Sequence, residues 1–358
     1  MKKWVEDNIQ MNHVTVAKNY DETRILWETV FDQDSQAFVS YYYNEIAKYN
    51  IQFVITNGER CESMIHLNPY SASILVGNNR EWKEALLHYI VGVATVTNKR
   101  KLGYMDAVLR RGLEELYEKQ EAFTFLMPAA KEIYEPYGFS FIYERINYRL
   151  AKEKENTFHI RVCDELELET VSVFASNCLR RDNQCFLTRT EAYFKRLQKE
   201  IKSQNGDLYI VEKNGEWVAY FSYSEEDDFV QELLFVPDYE EELMNHLFYK
   251  DEATKPIIMA RIVCLETFLE LFRSEKAIQM ILQVEDTIIC QNQGTFLWEI
   301  SDEKSTVKRY NSAEIKNLSK EIIKIAQEDL LRVLFGRLQD DRFDGIIKLQ
   351  KVFINEIV

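Results

Sequence analysis

The chain has 358 residues, 46% of them hydrophobic and 29% charged, enough for two to three domains with their own cores and too long to need disulfide staples. Its 59 Asp and Glu outweigh 44 Lys and Arg for a net charge of −15, which disfavours a broad grip on nucleic-acid phosphates. With 11 Gly and 5 Pro it is neither collagen-like nor of low complexity.

The acid is unevenly spread. Residues 151–255 carry 13 basic and 23 acidic side chains, whereas 1–150 carry 17 and 20. The six cysteines are scattered without a C-x-x-C pair, the pattern of reduced thiols in a cytoplasmic protein. No apolar signal region opens the sequence, no run approaches the length of a membrane span, and the five histidines lack metal-ligand spacing. The expectations are no membrane span, no metal and no nucleic-acid partner.

In chain order, Arg24 to Asn50 reads as two helices split by Asp32-Gln33-Asp34-Ser35. Ile51–Thr56 and Cys61–Leu67 form a hairpin signal around Asn57-Gly58. His88–Val96 is a β-rich run suited to a central strand, and Met105, Leu109, Leu113 and Leu116 then space out a helix. Phe123–Leu126 is a short strand, Ala129–Tyr134 a short helix and Phe139–Tyr143 another strand. The polar stretch 152–155 marks a boundary. A second α/β pass follows: helices at Leu168–Cys178 and Arg189–Ile201, a hairpin at Leu208–Val211 and Trp217–Tyr223, and a strand at Phe229–Val236. After Lys255-Pro256 come strands at Ile257–Val263, Ala277–Val284, Thr287–Gln291 and Gly294–Ile300, then a helix at Leu318–Leu334. This order predicts an α/β (α+β) protein divided as 1–150, 151–255 and 256–358.

One segment points to chemistry. After Val93-Ala94-Thr95 the chain enters Lys99-Arg100-Lys101-Leu102-Gly103-Tyr104-Met105 and then a helix. Gly103 permits close backbone approach, the helix start presents unpaired N–H groups and the positive dipole end, and Arg100 and Lys101 add charge; a pyrophosphate fits there. In the second pass the corresponding position reads Pro237-Asp238-Tyr239-Glu240-Glu241-Glu242, acidic and without glycine, so that copy lacks the anion site.

About thirty residues beyond the loop, Tyr134 stands four residues ahead of Gly138-Phe139. Arg100, Gly103, Tyr134, Gly138 and Phe139 together resemble the GCN5-related N-acetyltransferase (GNAT) superfamily. One competent unit, one lacking the loop and a C-terminal α+β unit resemble its enhanced intracellular survival (Eis) family, which carries a sterol carrier protein-like last domain. The resemblance implies a homo-oligomeric N-acetyltransferase with acetyl-coenzyme A as co-substrate. It implies a coenzyme A site at Val93, Ala94, Thr95, Arg100, Lys101, Gly103, Tyr104 and Met105. Tyr134 is the implied acid toward the departing thiolate, and the carboxylate of Val358 the implied proton acceptor. The expected acceptor is an amine, favoured as cationic by the acid excess. Tyr137 is an alternative acid, and Asp32, Asp34 and Glu356 are candidates to hold a cation. A different class of reading is a catalytically silent protein that binds an apolar ligand in its last domain or a basic partner on its acidic middle.

Overall fold

The structure is a computed structural model describing residues 14–77, 81–151, 157–224, 228–251, 253–311 and 321–356. The strands in chain order are β1 (Val14–Val16), β2 (Ile51–Asn57), β3 (Arg60–Val76), β4 (Glu81–Thr95), β5 (Phe123–Leu126), β6 (Ser140–Arg145), β7 (Tyr148–Leu150), β8 (His159–Val162), β9 (Cys185–Leu187) and β10 (Gly206–Lys213). They continue as β11 (Glu216–Ser224), β12 (Phe229–Phe235), β13 (Phe248–Lys250), β14 (Lys255–Ile262), β15 (Ile278–Glu285), β16 (Gly294–Ile300), β17 (Ser305–Arg309), β18 (Ile322–Ala326) and β19 (Val352–Phe353). The helices are α1 (Arg24–Val30), α2 (Gln36–Tyr41), α3 (Tyr104–Glu118), α4 (Lys131–Tyr134), α5 (Leu168–Asp182), α6 (Glu191–Ser203), α7 (Glu240–His246), α8 (Leu265–Leu269) and α9 (Gln327–Leu334). The result is a mixed α/β protein with three sheets. The polar stretch taken as the first boundary lies outside the described residues.

The first sheet has nine strands, ordered β1-β2-β3-β4-β5-β14-β6, with β9 against β3 and β19 against β9. The Asn57-Gly58 hairpin forms, with Gly58 at φ +66°. β3 runs well past the expected Leu67 because Pro69 does not stop it. Pro69 falls between the last β2 partner of β3 at Leu67 and its first β9 partner at Ala72, where β3 has a neighbour on one side only and a missing N–H is tolerated.

The strand expected to open the third unit is instead β14, lying between β5 and β6 and antiparallel to both. Its residues Ile258, Met259, Ala260 and Ile262 are all buried, so both faces need cover, which a central position supplies. The second sheet is ordered β13-β7-β12-β11-β10-β8, and the third β17-β16-β15-β18. Two further expectations are corrected in the last third. Of the helix expected over Leu318–Leu334, residues 318–320 lie outside the described residues; Ile322–Ala326 is instead β18, parallel to β15, since its β-branched residues fill a strand, and the helix there is α9, Gln327–Leu334. Thr287–Gln291 is not a strand but leads into a 3₁₀ turn at Cys290–Asn292, where Asp286 accepts bonds from the N–H groups of Ile288 and Ile289. All six cysteines are free.

Beneath α1, β3 contributes a fully buried His66, held between the Tyr42 hydroxyl at 2.8 Å and the Thr23 hydroxyl at 2.9 Å. Burial lowers its pKa to about 3, so the ring is neutral. Unfolded, the same ring titrates near 6.5. Its stabilising contribution is therefore complete above about pH 6.5 and is lost as pH falls toward 3, at about 1.4 kcal/mol per pH unit. Denaturant unfolding between pH 7 and 4.5 is expected to show this slope, and His66→Gln is expected to remove it; equal slopes refute the assignment.

Candidate active site

Between the pairs Met64↔Ala94 and His66↔Val91, β4 places two residues, Gly92 and Val93, opposite the single residue Ile65 of β3. This bulge requires Gly92 at φ +61°, and a Cβ there would lie 2.6 Å from the Trp27 ring. β4 meets β5 in parallel at Tyr89↔Phe125 and no further. Beyond Tyr89 the two strands part, so the β5-facing backbone of Val91–Thr95 borders a cleft rather than a ladder.

The loop after β4 builds the floor of that cleft. Thr97–Lys99 form a 3₁₀ turn, Lys101 takes φ +63° and Gly103 φ +83°, which turns the chain into α3. The N–H groups of Tyr104, Met105 and Asp106 belong to the first turn and have no acceptor within the helix. Of the local cations, Lys99 pairs with Glu62 at 3.4 Å, Arg110 with Asp106 at 3.0 Å and Arg111 with Glu115 at 2.9 Å. The Arg100 side chain donates only to the Thr95 carbonyl, at 3.2 Å, and neither it nor Lys101 meets a carboxylate among the described residues. A cleft of about 430 Å³ brings together all eight residues read as the coenzyme A site, Val93, Ala94, Thr95, Arg100, Lys101, Gly103, Tyr104 and Met105. Two free cations, an open helix start and an unpaired strand edge suit an anionic thioester cofactor.

Tyr134 ends α4, followed by a 3₁₀ turn over Glu135–Tyr137 and Gly138 at φ +77°. Gly138 donates to the Glu135 carbonyl at 2.9 Å, and Phe139 donates to the Tyr134 carbonyl at 3.4 Å while its ring meets Tyr134 edge-on at 6.0 Å. The Gly-Phe pair thus closes the turn and packs the tyrosine. Tyr134 is 8% exposed, and burial pushes its phenol up to about 12. Its hydroxyl has no hydrogen-bond partner among the described residues. Tyr137 stands near Asp106, and burial together with that carboxylate raises its pKa.

A second cavity, of about 490 Å³, adjoins the cleft: Val93 lines both, and Tyr134 lines the second. Its walls include Trp27, Phe31, Phe38, Tyr89 and Phe229, and among the described residues Asp34 and Glu200 are its charged groups, with no Lys, Arg or His. Asp34 accepts from the Trp27 indole N–H at 2.9 Å, and burial raises its pKa. Glu200 is buried, accepts from Tyr41 at 3.0 Å and Gln231 at 3.4 Å, and burial raises its pKa as well. Sequence reasoning missed Trp27 and Glu200. Trp27 reads as core, and Glu200 sits in a Lys- and Glu-rich helix that gives no sign of facing a cavity. Of the proposed cation holders, Asp34 lines the cavity and Asp32 is exposed.

Glu356 is neither on the surface nor a free carboxylate. It is 4% exposed and takes a bond from Arg189 at 2.8 Å, while Arg189, with no exposure, also grips Glu232 at 2.7 Å. Beside it the Asn355 amide donates to the Gln231 carbonyl at 2.6 Å, and Gln231 lines the second cavity. The tail before them joins the first sheet as β19 on β9. Ile357 and Val358 lie outside the described residues.

With this geometry in hand, residues 13–142 match the family described as acetyltransferase (GNAT) domain. No curated protein matches the chain. Among solved structures, one from Enterococcus faecalis V583, described as a probable N-acyltransferase, is similar at a TM-score of 0.74 and 15% identity, covering 94% of this chain and 93% of that one. A GCN5-related N-acetyltransferase from Anabaena variabilis is similar at 0.69 and 12%, covering 96% and 100%. Eis1 from Mycobacterium abscessus is similar at 0.63 and 11%, covering 94% and 93%. At such identities the likeness is one of fold. Residues 13–142 thus match an acetyltransferase (GNAT) domain, and the chain as a whole is similar in its mixed α/β fold to solved structures described as N-acyltransferases.

Proposed function

We propose that the chain moves the acetyl group of acetyl-coenzyme A to a primary amine of a cationic acceptor. The observation that carries this reading is the junction at Val93, where an anion-suited cleft opens into an aromatic and acidic cavity walled by a tyrosine with an unengaged hydroxyl. Acetyl-coenzyme A supplies an activated acyl group. Arg100, Lys101 and the amides after Gly103 hold its pyrophosphate. The strand backbone of Val93–Thr95 orients the acyl carbonyl and stabilises negative charge developing on its oxygen. A phenol with a pKa near 12 stays protonated throughout the neutral range, so Tyr134 serves as a donor to the departing sulfur and not as a base. Tyr137 is a poorer donor because burial and the nearby Asp106 carboxylate raise its pKa.

The attacking amine must shed a proton, and the proposed taker is the Val358 carboxylate. The seating of Asn355 and Glu356 beside Gln231 supports that assignment by anchoring the tail at the cavity wall. Asp34, Glu200 and the facing aromatic rings favour a cation over a neutral or anionic acceptor. The full-length likeness in fold supports reading the whole as an Eis-like enzyme with a sterol carrier protein-like last unit, cytoplasmic and homo-oligomeric. An apolar-ligand role for that unit finds less support, since Met280, Leu282, Phe296 and Trp298 of its sheet are buried in the common core with Leu330 and Leu334 of α9.

Turnover with acetyl-coenzyme A across polyamines, aminoglycosides and lysine peptides tests the acceptor class, and activity confined to neutral or acidic acceptors would sink it. Arg100→Ala removes one charge-assisted bond, about 1.5–3 kcal/mol, and calorimetry should show coenzyme A binding at least tenfold weaker. Tyr134→Phe is expected to slow acetyl transfer roughly 10²-fold with folding nearly unchanged, and Tyr137→Phe far less; the reverse order moves the acid to Tyr137. Residues added after Val358 convert its carboxylate to an amide and are expected to lower kcat while coenzyme A affinity holds. Full activity in that extended protein removes Val358 from the reaction.

A further inference from the structure

The turn that carries Tyr134 satisfies only part of its own backbone. Its N–H groups at Gly138 and Phe139 are used within the turn, which leaves the carbonyls of Tyr137 and Gly138 to find donors elsewhere. Both find them in the last hundred residues. Arg261, on β14 and with no solvent exposure, donates to the Tyr137 carbonyl at 2.7 Å. The same guanidinium donates to its neighbouring Ile262 carbonyl at 3.0 Å and to Asp286 at 2.5 Å. Asp286 is fixed in turn by the N–H groups of Ile288 and Ile289, each at 2.9 Å, and by Asn292 at 3.0 Å.

Gln327, the first residue of α9 and 1% exposed, takes the second carbonyl. Its amide nitrogen donates to the Gly138 carbonyl at 2.7 Å, and its amide oxygen accepts from the Ile262 N–H at 3.2 Å. A Cβ on Gly138 would lie 2.0 Å from that nitrogen. Gln327 therefore bridges β14 and the turn with both ends of one amide, and the turn admits no side chain between them. A turn of short helical pieces has few internal restraints, so its position depends on these two outside donors.

We infer that Gln327, with Arg261 beside it, is a positioning residue for the acid: it sets where the Tyr134 hydroxyl stands relative to the coenzyme A sulfur. The inference rests on the proposed role of Tyr134. It assigns the C-terminal third a task in the chemistry of the first sheet, carried by a contact 189 residues away in sequence. A hydroxyl placed to donate to sulfur stabilises the thiolate and lowers the thiol pKa, and a displaced hydroxyl does not.

Coenzyme A itself is the probe, bound to the full chain and titrated by the ultraviolet absorbance of its thiolate, so no acceptor is needed. In the wild type the bound thiol is expected to titrate about one pH unit below its value in Tyr134→Phe, the equivalent of one modest hydrogen bond. Gln327→Met, which keeps length but loses both amide bonds, is expected to raise the thiol to the Tyr134→Phe value, with the double variant no higher. Should Gln327→Met fold poorly, Gln327→Glu keeps the bond from Ile262 and, as the carboxylate, loses the one to Gly138; the same shift is expected. A Gln327 variant that titrates with the wild type while Tyr134→Phe is shifted overturns the positioning role alone. If Tyr134→Phe itself titrates with the wild type, the acid assignment falls and this inference falls with it.

Discussion

Gly92 occupies a point where the backbone must turn into a conformation that L side chains avoid, and where the Trp27 ring leaves no room for a methyl group. Much of the site depends on that single crowded contact. The bulge it permits ends the pairing of β4 with β5 at Tyr89, and the separation of the strands is what exposes the backbone of Val91–Thr95. The same indole that fills the space above Gly92 donates to Asp34, so the residue that shapes the bulge also holds a carboxylate at the mouth of the second cavity. The anion-suited cleft and the second cavity are two sides of one packing arrangement.

The tail is held by a different force. Arg189 is buried without solvent and satisfied by Glu232 and Glu356, with the Tyr193 ring 4.2 Å from its guanidinium carbon. Desolvating such a group is costly, and removing one partner from a buried ion pair typically costs about 3–5 kcal/mol. Glu232 belongs to β12 and Glu356 to the tail, so the arrangement discriminates strongly between a seated tail and one that has left. Apolar packing of Val352 and Ile354 alone would distinguish a slip of two residues less sharply, since it keeps the same face inward. The ion pair fixes the register, a use for buried charge that stability alone does not explain.

The sequence made the local part of this structure readable. Asn57-Gly58, the Arg100-to-Gly103 loop and the Tyr134-to-Phe139 turn are each decided by backbone requirements within a few residues, and each was placed by its glycines. What lay beyond reach was which strand pairs with which. The run Ile257–Val263 was recognised as a strand, yet nothing local says that it belongs between β5 and β6. Arg261 lies in that run, and only the fold supplies its partners, Asp286 and the Tyr137 carbonyl. Ile322 to Ala326 failed for the opposite reason. Its isoleucines suit helix and strand patterns alike, and parallel pairing to β15 decided between them.

The insertion of β14 has a bearing on how the protein is made. On a ribosome β5 and β6 emerge more than a hundred residues before the strand that joins them, and until then each offers an unpaired edge that carries aromatic side chains. The first sheet cannot close while it is being synthesised. It waits for residue 262, and for Gln327 to secure the turn beside it, which makes folding of the first unit a late, long-range event with the slow kinetics such contacts entail. A fragment ending near residue 150 has the motifs and lacks the strand that joins β5 to β6.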